Sequence, residues 1–182
     1  MPRLLLHGLV IAAIAALAVW LLNVERVTIP PECQTATEAL GAGDYDGAID
    51  HYLLCLDAGE LPTEALAQVF YGLGVAYSAK DDHYQAIKDY SEAIDLNPNH
   101  AWAYNNRCWS YSLLRRADEA LADCNEALRL LPDQPEILDS RALAYWLLNE
   151  RDKAREDLER ARALGSSNPP WQERFQQFEA MF

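Results

Sequence analysis

The strongest constraint on this chain is a set of residue columns that recur about every 34 residues. The clearest columns hold Tyr77, Tyr111 and Tyr145 in one case and Ala86, Ala120 and Ala154 in the other. The small residues fall where two helices must approach closely, and larger residues lie three, four or seven positions away. A period of this length predicts a helical solenoid, in which each unit packs only against its neighbours.

Three consecutive units carry this pattern. They read FYGLGVAYSAKDDHYQAIKDYSEAIDLNPN, YNNRCWSYSLLRRADEALADCNEALRLLPD and LDSRALAYWLLNERDKAREDLERARALGSS. Pro98 and Pro132 close the first two units, where a proline ends one helix and permits the next, whereas the third unit has no such proline. These places match the signature of the tetratricopeptide repeat family, which residues 67–168 resemble. The resemblance implies an all-α fold, a right-handed solenoid of helical hairpins.

The same comparison divides the remainder of the chain. Residues 32–66 are interpreted as a degenerate first repeat, because its first helix lacks the usual aromatic and Gly anchors. The interval from Ala48 to Ala86 is also longer than the period of the later columns. The predicted units are 1–24 for a membrane anchor, 25–31 for a short linker, 32–66 for the degenerate repeat, and 67–100, 101–134 and 135–168 for the three repeats. Residues 169–182 should form a capping helix, whose stripe of Trp171, Phe175, Phe178 and Phe182 covers the last hydrophobic face.

The N-terminus predicts a transmembrane helix. Residues 4–24 contain no Asp, Glu, Lys or Arg, and a helix of this length spans roughly 30 Å, the thickness of a bilayer core. The competing interpretation is a signal peptide cleaved after Ala16 to Ala18, which would give a secreted or periplasmic protein. The apolar run continues through Leu22 and so favours a single-pass membrane protein. Arg3 favours a cytoplasmic N-terminus, with the repeats on the non-cytoplasmic side (periplasmic in a bacterium).

The charge of the chain argues against two classes of partner. The formal net charge is −13, so nucleic acid and anionic membrane surfaces would repel the repeats.

Four cysteines fall two to a repeat, one on each helix of a hairpin. Cys33 with Cys55, and Cys108 with Cys124, occupy opposed levels of their hairpins, so two disulfides are geometrically possible. The alternative is four reduced cysteines that pack as small hydrophobic residues. An oxidising compartment would favour the bridges.

Arg107 and Arg141 occupy the column that holds Leu73 in the first full repeat. An arginine directed into a helix seam needs a carboxylate partner, and aspartates recur at the same period on the second helices. These are Asp89, Asp123 and Asp157. The sequence does not decide whether each arginine pairs within its own repeat or with the preceding one.

No catalytic residue, metal site, cofactor or small-molecule substrate is predicted. The four histidines, His7, His51, His83 and His100, have no Cys, Ser or carboxylate at the spacing of a triad. Glycine-rich phosphate loops and metal-ligand spacings are also absent from the sequence. The chain is expected not to be an enzyme.

The outer face of each first helix is unusually rich in aromatic and aliphatic residues, a property of interaction surfaces. The predicted partner-binding groove consists of Tyr71, Val75, Trp102, Asn105, Asn106, Trp109, Leu113, Leu143 and Trp146. The resemblance implies that this face lines a concave groove, where Asn106 matches an asparagine that holds peptide backbones. Some of these side chains could instead pack against the next repeat or the capping helix. The lysines and arginines that grip acidic chaperone tails in the family are missing from this face.

These features lead to two functional hypotheses. The first is a membrane-tethered adaptor or assembly factor whose groove binds a protein or peptide with apolar anchors. The second is a structural subunit of a larger membrane complex or homo-oligomer. A further alternative is that the Phe-rich tail occupies the groove until a partner displaces it.

Overall fold

The computed structural model describes residues 29–180, except for the side chain of Trp171, as a series of α-helices. The helices are α1 (Pro31–Gly41), α2 (Tyr45–Asp57), α3 (Thr63–Ala79), α4 (His83–Leu96), α5 (Ala101–Leu113), α6 (Ala117–Leu130), α7 (Pro135–Leu147), α8 (Arg151–Ala163) and α9 (Trp171–Ala180). The prediction of an all-α solenoid of helical hairpins is confirmed. The transmembrane prediction for residues 1–24 and the Phe182 end of the capping stripe lie outside the described residues. Among residues 29–180, no helix has the length and apolar content needed to span a membrane.

The helices pair as hairpins, and the hairpins stack side by side. The pairs are α1 with α2, α3 with α4, α5 with α6, and α7 with α8. The first helix of each hairpin also touches the first helix of the next, in the order α1, α3, α5 and α7. Helix α9 contacts both α7 and α8, and so takes the place that a further first helix would occupy.

In every hairpin, a residue with a left-handed backbone conformation lies in the turn between the two helices. The turn residues Gly43, Asp81, Arg115 and Asn149 all have left-handed backbone angles, with φ of 79°, 62°, 57° and 61°. The last three are spaced by one repeat period each. In the first turn the Asp44 carboxylate then accepts a hydrogen bond from the Gly47 amide (3.0 Å), which caps α2.

Two tyrosine rings lie directly on glycines of α3. Tyr52 of the first hairpin covers Gly72, and Tyr90 of the second hairpin covers Gly74. Either ring leaves no room for a Cβ on the glycine beneath it. Helix α3 therefore approaches the preceding hairpin at Gly72 and its partner helix α4 at Gly74.

An arginine in each of the third and fourth repeats links its own hairpin to the preceding repeat. Arg107 donates two hydrogen bonds to Asp123 of its own repeat (2.6 and 2.8 Å) and one to the Ser91 hydroxyl of the preceding repeat (2.8 Å). The same bonds recur one repeat later among Arg141, Asp157 and Asn125. Each ion pair thus lies within its own repeat, and the third bond reaches the preceding repeat.

The second repeat has an aspartate in this column but no arginine, because Leu73 stands in its place. Asp89 is only 4 % exposed and accepts hydrogen bonds from the Gln85 side-chain amide (3.1 and 3.2 Å). Burial raises the pKa of Asp89 to about 6, and the Gln85 hydrogen bonds only partly oppose this.

Two disulfides join the helices of their hairpins. Cys33 in α1 is bonded to Cys55 in α2, and Cys108 in α5 is bonded to Cys124 in α6. The Cα atoms of the two pairs lie 5.0 and 5.5 Å apart, within the usual range for a bridge. The bridged hairpins are the first and the third.

Helix α9 closes the end of the solenoid. Phe178 is fully buried, and its ring centroid lies 6.0 Å from that of Trp146 in α7. Arg174 forms an ion pair with the largely buried Asp139, with an Nε to Oδ1 distance of 2.9 Å. These contacts cover the hydrophobic face that α7 and α8 would otherwise leave open.

Candidate functional site

The first helices α1, α3, α5 and α7 lie next to one another and form one surface, called here the first-helix face. It contains the columns in which the sequence predicts a binding groove. Two cavities open beside the N-terminal parts of its helices.

The larger cavity has a volume of about 580 Å³ and lies between α1 and α3. Its apolar walls are formed by Ile29, Pro30, Pro31, Cys33, Tyr52, Pro62, Ala65 and Val69. Its polar groups are Gln34, Thr37, Glu64 and Gln68. The Tyr52 hydroxyl lies 3.3 Å from the Thr37 hydroxyl, and this contact fixes the ring that separates the cavity from Gly72. A site of this size with apolar walls and few polar groups is typical of ligand-binding clefts.

A second cavity, of about 340 Å³ and called here the α3–α5 cavity, lies at the start of α5, between Gln68 of α3 and the end of α6. Its lining residues are Gln68, Asn97, Asn99, His100, Ala101, Trp102, Leu130 and Leu131. Gln68 lines both cavities, so the α1–α3 cavity and the α3–α5 cavity are neighbours on the first-helix face.

Three of the predicted groove residues form a polar cluster between α3 and α5. The Asn106 side-chain Nδ2 donates to the Tyr71 hydroxyl (3.2 Å), and the Asn105 side-chain Nδ2 donates to the Asn106 side-chain Oδ1 (3.1 Å). The Tyr71 ring also lies 4.6 Å from the His100 ring, centroid to centroid. Burial raises the pKa of Tyr71 and lowers the pKa of His100, so both groups are neutral near pH 7. In this structure the Asn106 side chain is hydrogen-bonded to Tyr71 of the preceding repeat.

The structure corrects the groove prediction at Leu143 and Asn105. Leu143 is fully buried beneath α9, because Phe178 fills the space in front of it, and Asn105 is only 6 % exposed. Trp109 and Trp146 are half-buried and pack against the same cluster. These aromatic residues therefore contribute to the seal between α7 and α9 rather than to an open surface.

The other predicted groove residues lie nearer the open part of the face. Trp102 lines the α3–α5 cavity, while Val75 and Leu113 are half-buried on α3 and α5. The predicted set is thus divided between a cavity wall, a polar cluster and the packing under the capping helix.

Within residues 29–180 there is no group of three or more His, Cys, Asp or Glu side chains that could hold a metal ion. Burial lowers the pKa of His83 below its ordinary value, and this histidine lies at the start of α4, away from both cavities.

Sequence reasoning missed the α1–α3 cavity. The first repeat lacks aromatic anchors, so its pattern predicts no binding role, although its Gln34 and Thr37 occupy outward columns of the repeat. The Arg174–Asp139 pair was missed as well. The repeat period could have predicted this pair, because Arg174 lies two periods after Asn106. Asn106 and Arg174 each donate a hydrogen bond to the side chain of the residue 35 positions earlier.

Comparison with known families agrees with this architecture. The tetratricopeptide repeat family model matches residues 67–100, the second hairpin of the structure. The resemblance of the chain to this family, expected from its columns, is thereby supported over that unit.

Two curated relatives are both named photosystem I assembly protein Ycf3. The protein from Rippkaea orientalis is 31 % identical over 64 residues, which cover 35 % of this chain and 36 % of that protein. The protein from Synechococcus elongatus is 30 % identical over 79 residues, or 43 % of this chain and 45 % of that protein. The chain thus spans less than half the length of the curated relatives it matches.

Solved structures share the fold at lower sequence identity. The crystal structure of MamA superimposes with a TM-score of 0.65 at 22 % identity, covering 89 % of this chain and 86 % of MamA. YrrB, described as a TPR protein with an unusual peptide-binding site, gives a TM-score of 0.65 at 19 % identity, with 79 % and 71 % covered. The first TPR of Spaghetti (RPAP3), bound to the HSP90 peptide SRMEEVD, superimposes with a TM-score of 0.57 at 24 % identity. The match covers 65 % of this chain and 91 % of that chain.

Proposed function

We propose that this chain is a protein-binding adaptor or assembly factor that holds a segment of another protein on its first-helix face. The observation that carries the proposal is the pair of neighbouring cavities on that face, joined at Gln68. Solenoids of stacked hairpins provide extended surfaces of this kind, and clefts with apolar walls and a few polar groups bind ligands.

The relatives support an assembly role in general terms. The two Ycf3 proteins are named for the assembly of photosystem I, and they share 30 % and 31 % identity with this chain over the matched part. Structures with the same fold include one that holds a chaperone peptide. That peptide, SRMEEVD, carries three carboxylate side chains. Helices α1 and α3 have no lysine or arginine with which to bind such a peptide.

The proposal includes a membrane tether at residues 1–24. Its support is the uncharged apolar run from residue 4 to residue 24. With a short linker ahead of α1, the first-helix face would lie close to the bilayer, on the non-cytoplasmic side. Alkaline carbonate extraction of membranes checks this part of the proposal, because a chain that is released by carbonate has no spanning helix.

Photocrosslinking tests the binding function directly. A photoreactive residue at the exposed position Gln68 of the full chain should capture a discrete partner polypeptide in intact cells, since Gln68 lines both cavities. The matched control is the same photoreactive residue at Glu92, an exposed position on α4. Capture at both positions alike would contradict a binding site on this face. Adducts only between copies of this chain would instead establish the structural homo-oligomer.

A further inference from the structure

The two cavities differ from a general protein-binding surface in their spacing, their wall chemistry and their charge. We propose that they bind one extended, proline-containing segment of the partner in the polyproline II conformation. Two apolar side chains of that segment, three residues apart, enter the two cavities, and a lysine or arginine of the same segment faces Glu64. This inference rests on the proposed function and specifies the chemistry of the partner.

The spacing of the cavities favours the polyproline II conformation. The α1–α3 cavity lies beside the seam between α1 and α3, and the α3–α5 cavity begins at Gln68 of α3 and extends over the start of α5. Adjacent packed helices are about 8–10 Å apart. A polyproline II helix has three residues per turn and rises about 3.1 Å per residue, so side chains i and i+3 point the same way about 9 Å apart. A β-strand places side chains i and i+3 on opposite faces, and an α-helix places them only about 4.5 Å apart along its axis.

The cavity walls favour aliphatic or proline anchors. Pro30, Pro31 and Pro62 surround the α1–α3 cavity together with Val69, and none of these side chains donates a hydrogen bond. The prolines also make this wall stiff, since their rings fix the backbone φ angle. Leu130, Leu131 and Trp102 supply the apolar wall of the α3–α5 cavity.

The polar groups between the cavities suit an extended backbone. A polyproline II segment has no internal hydrogen bonds, so its carbonyl groups need partners when they leave water. The side-chain amides of Gln34 and Gln68 lie at the α1–α3 cavity, and that of Asn99 lies at the α3–α5 cavity. Each can donate to a carbonyl and accept from an amide.

The charge of this region selects a basic segment. Helices α1 and α3 together carry three glutamates, Glu32, Glu38 and Glu64, and no lysine or arginine. Glu64 lines the α1–α3 cavity one helical turn before Gln68, which lines both cavities. A cation bound there would face the Glu64 carboxylate, and the net charge of −13 for the whole chain adds to the attraction of a cation.

Short synthetic peptides test this specificity. The probe is the acetylated and amidated peptide PLKPLP, whose two leucines are three residues apart. Its controls are PLEPLP, which reverses the charge, PSKPSP, which removes the anchors, and PLKLPP, which shortens the spacing. Titration calorimetry with the full chain in detergent micelles should rank PLKPLP first, with each control weaker by about tenfold or more. Equal binding of PLKPLP and PSKPSP, or of PLKPLP and PLKLPP, would overturn the proposal.

Two variants of the protein locate the binding. Ala65→Trp fills the α1–α3 cavity from its wall and should reduce PLKPLP binding about tenfold, whereas Ala122→Trp, at an exposed position on α6, should not change it. Circular dichroism verifies that both variants are folded. Glu64→Lys should make PLEPLP the better ligand. An Ala65→Trp variant that binds as well as the wild type would place the site elsewhere.

The outcomes separate this inference from the proposed function. If photocrosslinking at Gln68 captures a partner while the peptides show no preference, the face binds protein but by another chemistry. If Gln68 captures no partner, the proposed function fails whatever the peptides show. Mass spectrometry of the captured segment should find two apolar residues three apart next to a lysine or arginine.

Discussion

At the scale of single residues, one substitution in a repeated column creates a pH-sensitive carboxylate. The third and fourth repeats pair their buried aspartates with arginine, whereas Leu73 leaves Asp89 with only the Gln85 amide. Burial then raises the pKa of Asp89 to about 6, against 3.8 for an ordinary aspartate. The folded state therefore binds this proton more tightly than the unfolded state does.

Asp89→Asn should stabilise the protein at neutral pH. Because the folded pKa is raised, the stabilising contribution of protonated Asp89 is fully present below pH 3.8 and is lost as the pH rises to about 6. Asparagine keeps the hydrogen bond without the charge. At about pH 7.5 we expect the free energy of unfolding to increase by about 1–2 kcal/mol, a value reduced for partial solvent screening.

Urea denaturation from acidic to neutral pH measures this effect as the difference between variant and wild type. The exposed Asp95→Asn serves as the control for a general change in net charge. A difference that is independent of pH, or that equals the Asp95→Asn difference, would contradict the assignment of the shift to Asp89.

At the scale of helices, each of the two disulfides links the two helices of one hairpin, but the two hairpins differ in how many neighbours they have. The Cys33–Cys55 bridge joins α1 and α2, which have a neighbouring hairpin on one side only among residues 29–180. The Cys108–Cys124 bridge joins α5 and α6, which are packed on both sides. In a solenoid the stability of a unit depends on its interfaces with its neighbours, so the end hairpin relies more on its bridge.

Removing each bridge should have a different spatial effect. Each double alanine variant loses about 3 kcal/mol of chain-entropy stabilisation, from loops closed over sequence separations of 22 and 16 residues. Without Cys33–Cys55 we expect faster amide hydrogen exchange confined to α1 and α2, because an end unit opens by itself. When the Cys108–Cys124 bridge is removed, amide hydrogen exchange should become faster across α3 to α8. Hydrogen-exchange mass spectrometry distinguishes the two patterns, and identical patterns would refute the argument.

The repeated columns predicted the hairpins, and Pro98 and Pro132 marked the ends of the second and third. The columns did not reveal which outward residues would stay accessible. Leu143 has the same spacing as Val75 and Trp109, but Phe178 covers it, and this depends on how the last helix docks. The α1–α3 cavity was equally hidden, because it arises from the weakest repeat, where small and proline side chains leave space unfilled.

At the scale of the whole molecule, the two ends of the solenoid described by residues 29–180 differ. Helix α9 covers the α7–α8 face with Phe178 and the Arg174–Asp139 ion pair. At the other end of the described residues, the α1–α3 cavity lies beside Ile29. Because the Arg174–Asp139 ion pair is largely buried, α9 is expected to act as a permanent cap. It is not expected to act as a tail that leaves the groove when a partner binds.

Phe178→Ala should therefore destabilise the fold. We expect a loss of about 3 kcal/mol in the free energy of unfolding, because the change leaves a cavity against Trp146 and Leu143. Gln176→Ala, at an exposed position of the same helix, should have almost no effect. Thermal and urea denaturation provide the measurement. A Phe178→Ala variant that keeps its stability and captures the partner more strongly would instead identify α9 as a displaceable lid.

The glycine beneath Tyr52 has a consequence for how a gene of this kind can grow. A tandem duplication of residues 67–100 would bring Tyr90 of one copy against Gly72 of the next, as Tyr52 meets Gly72 now. A duplication of residues 101–134 would instead bring Cys124 against Asn106, a combination that occurs nowhere in the described solenoid. Unequal recombination could thus lengthen the protein at its second unit without further substitutions, while elsewhere each added unit would require compensating changes in its neighbours.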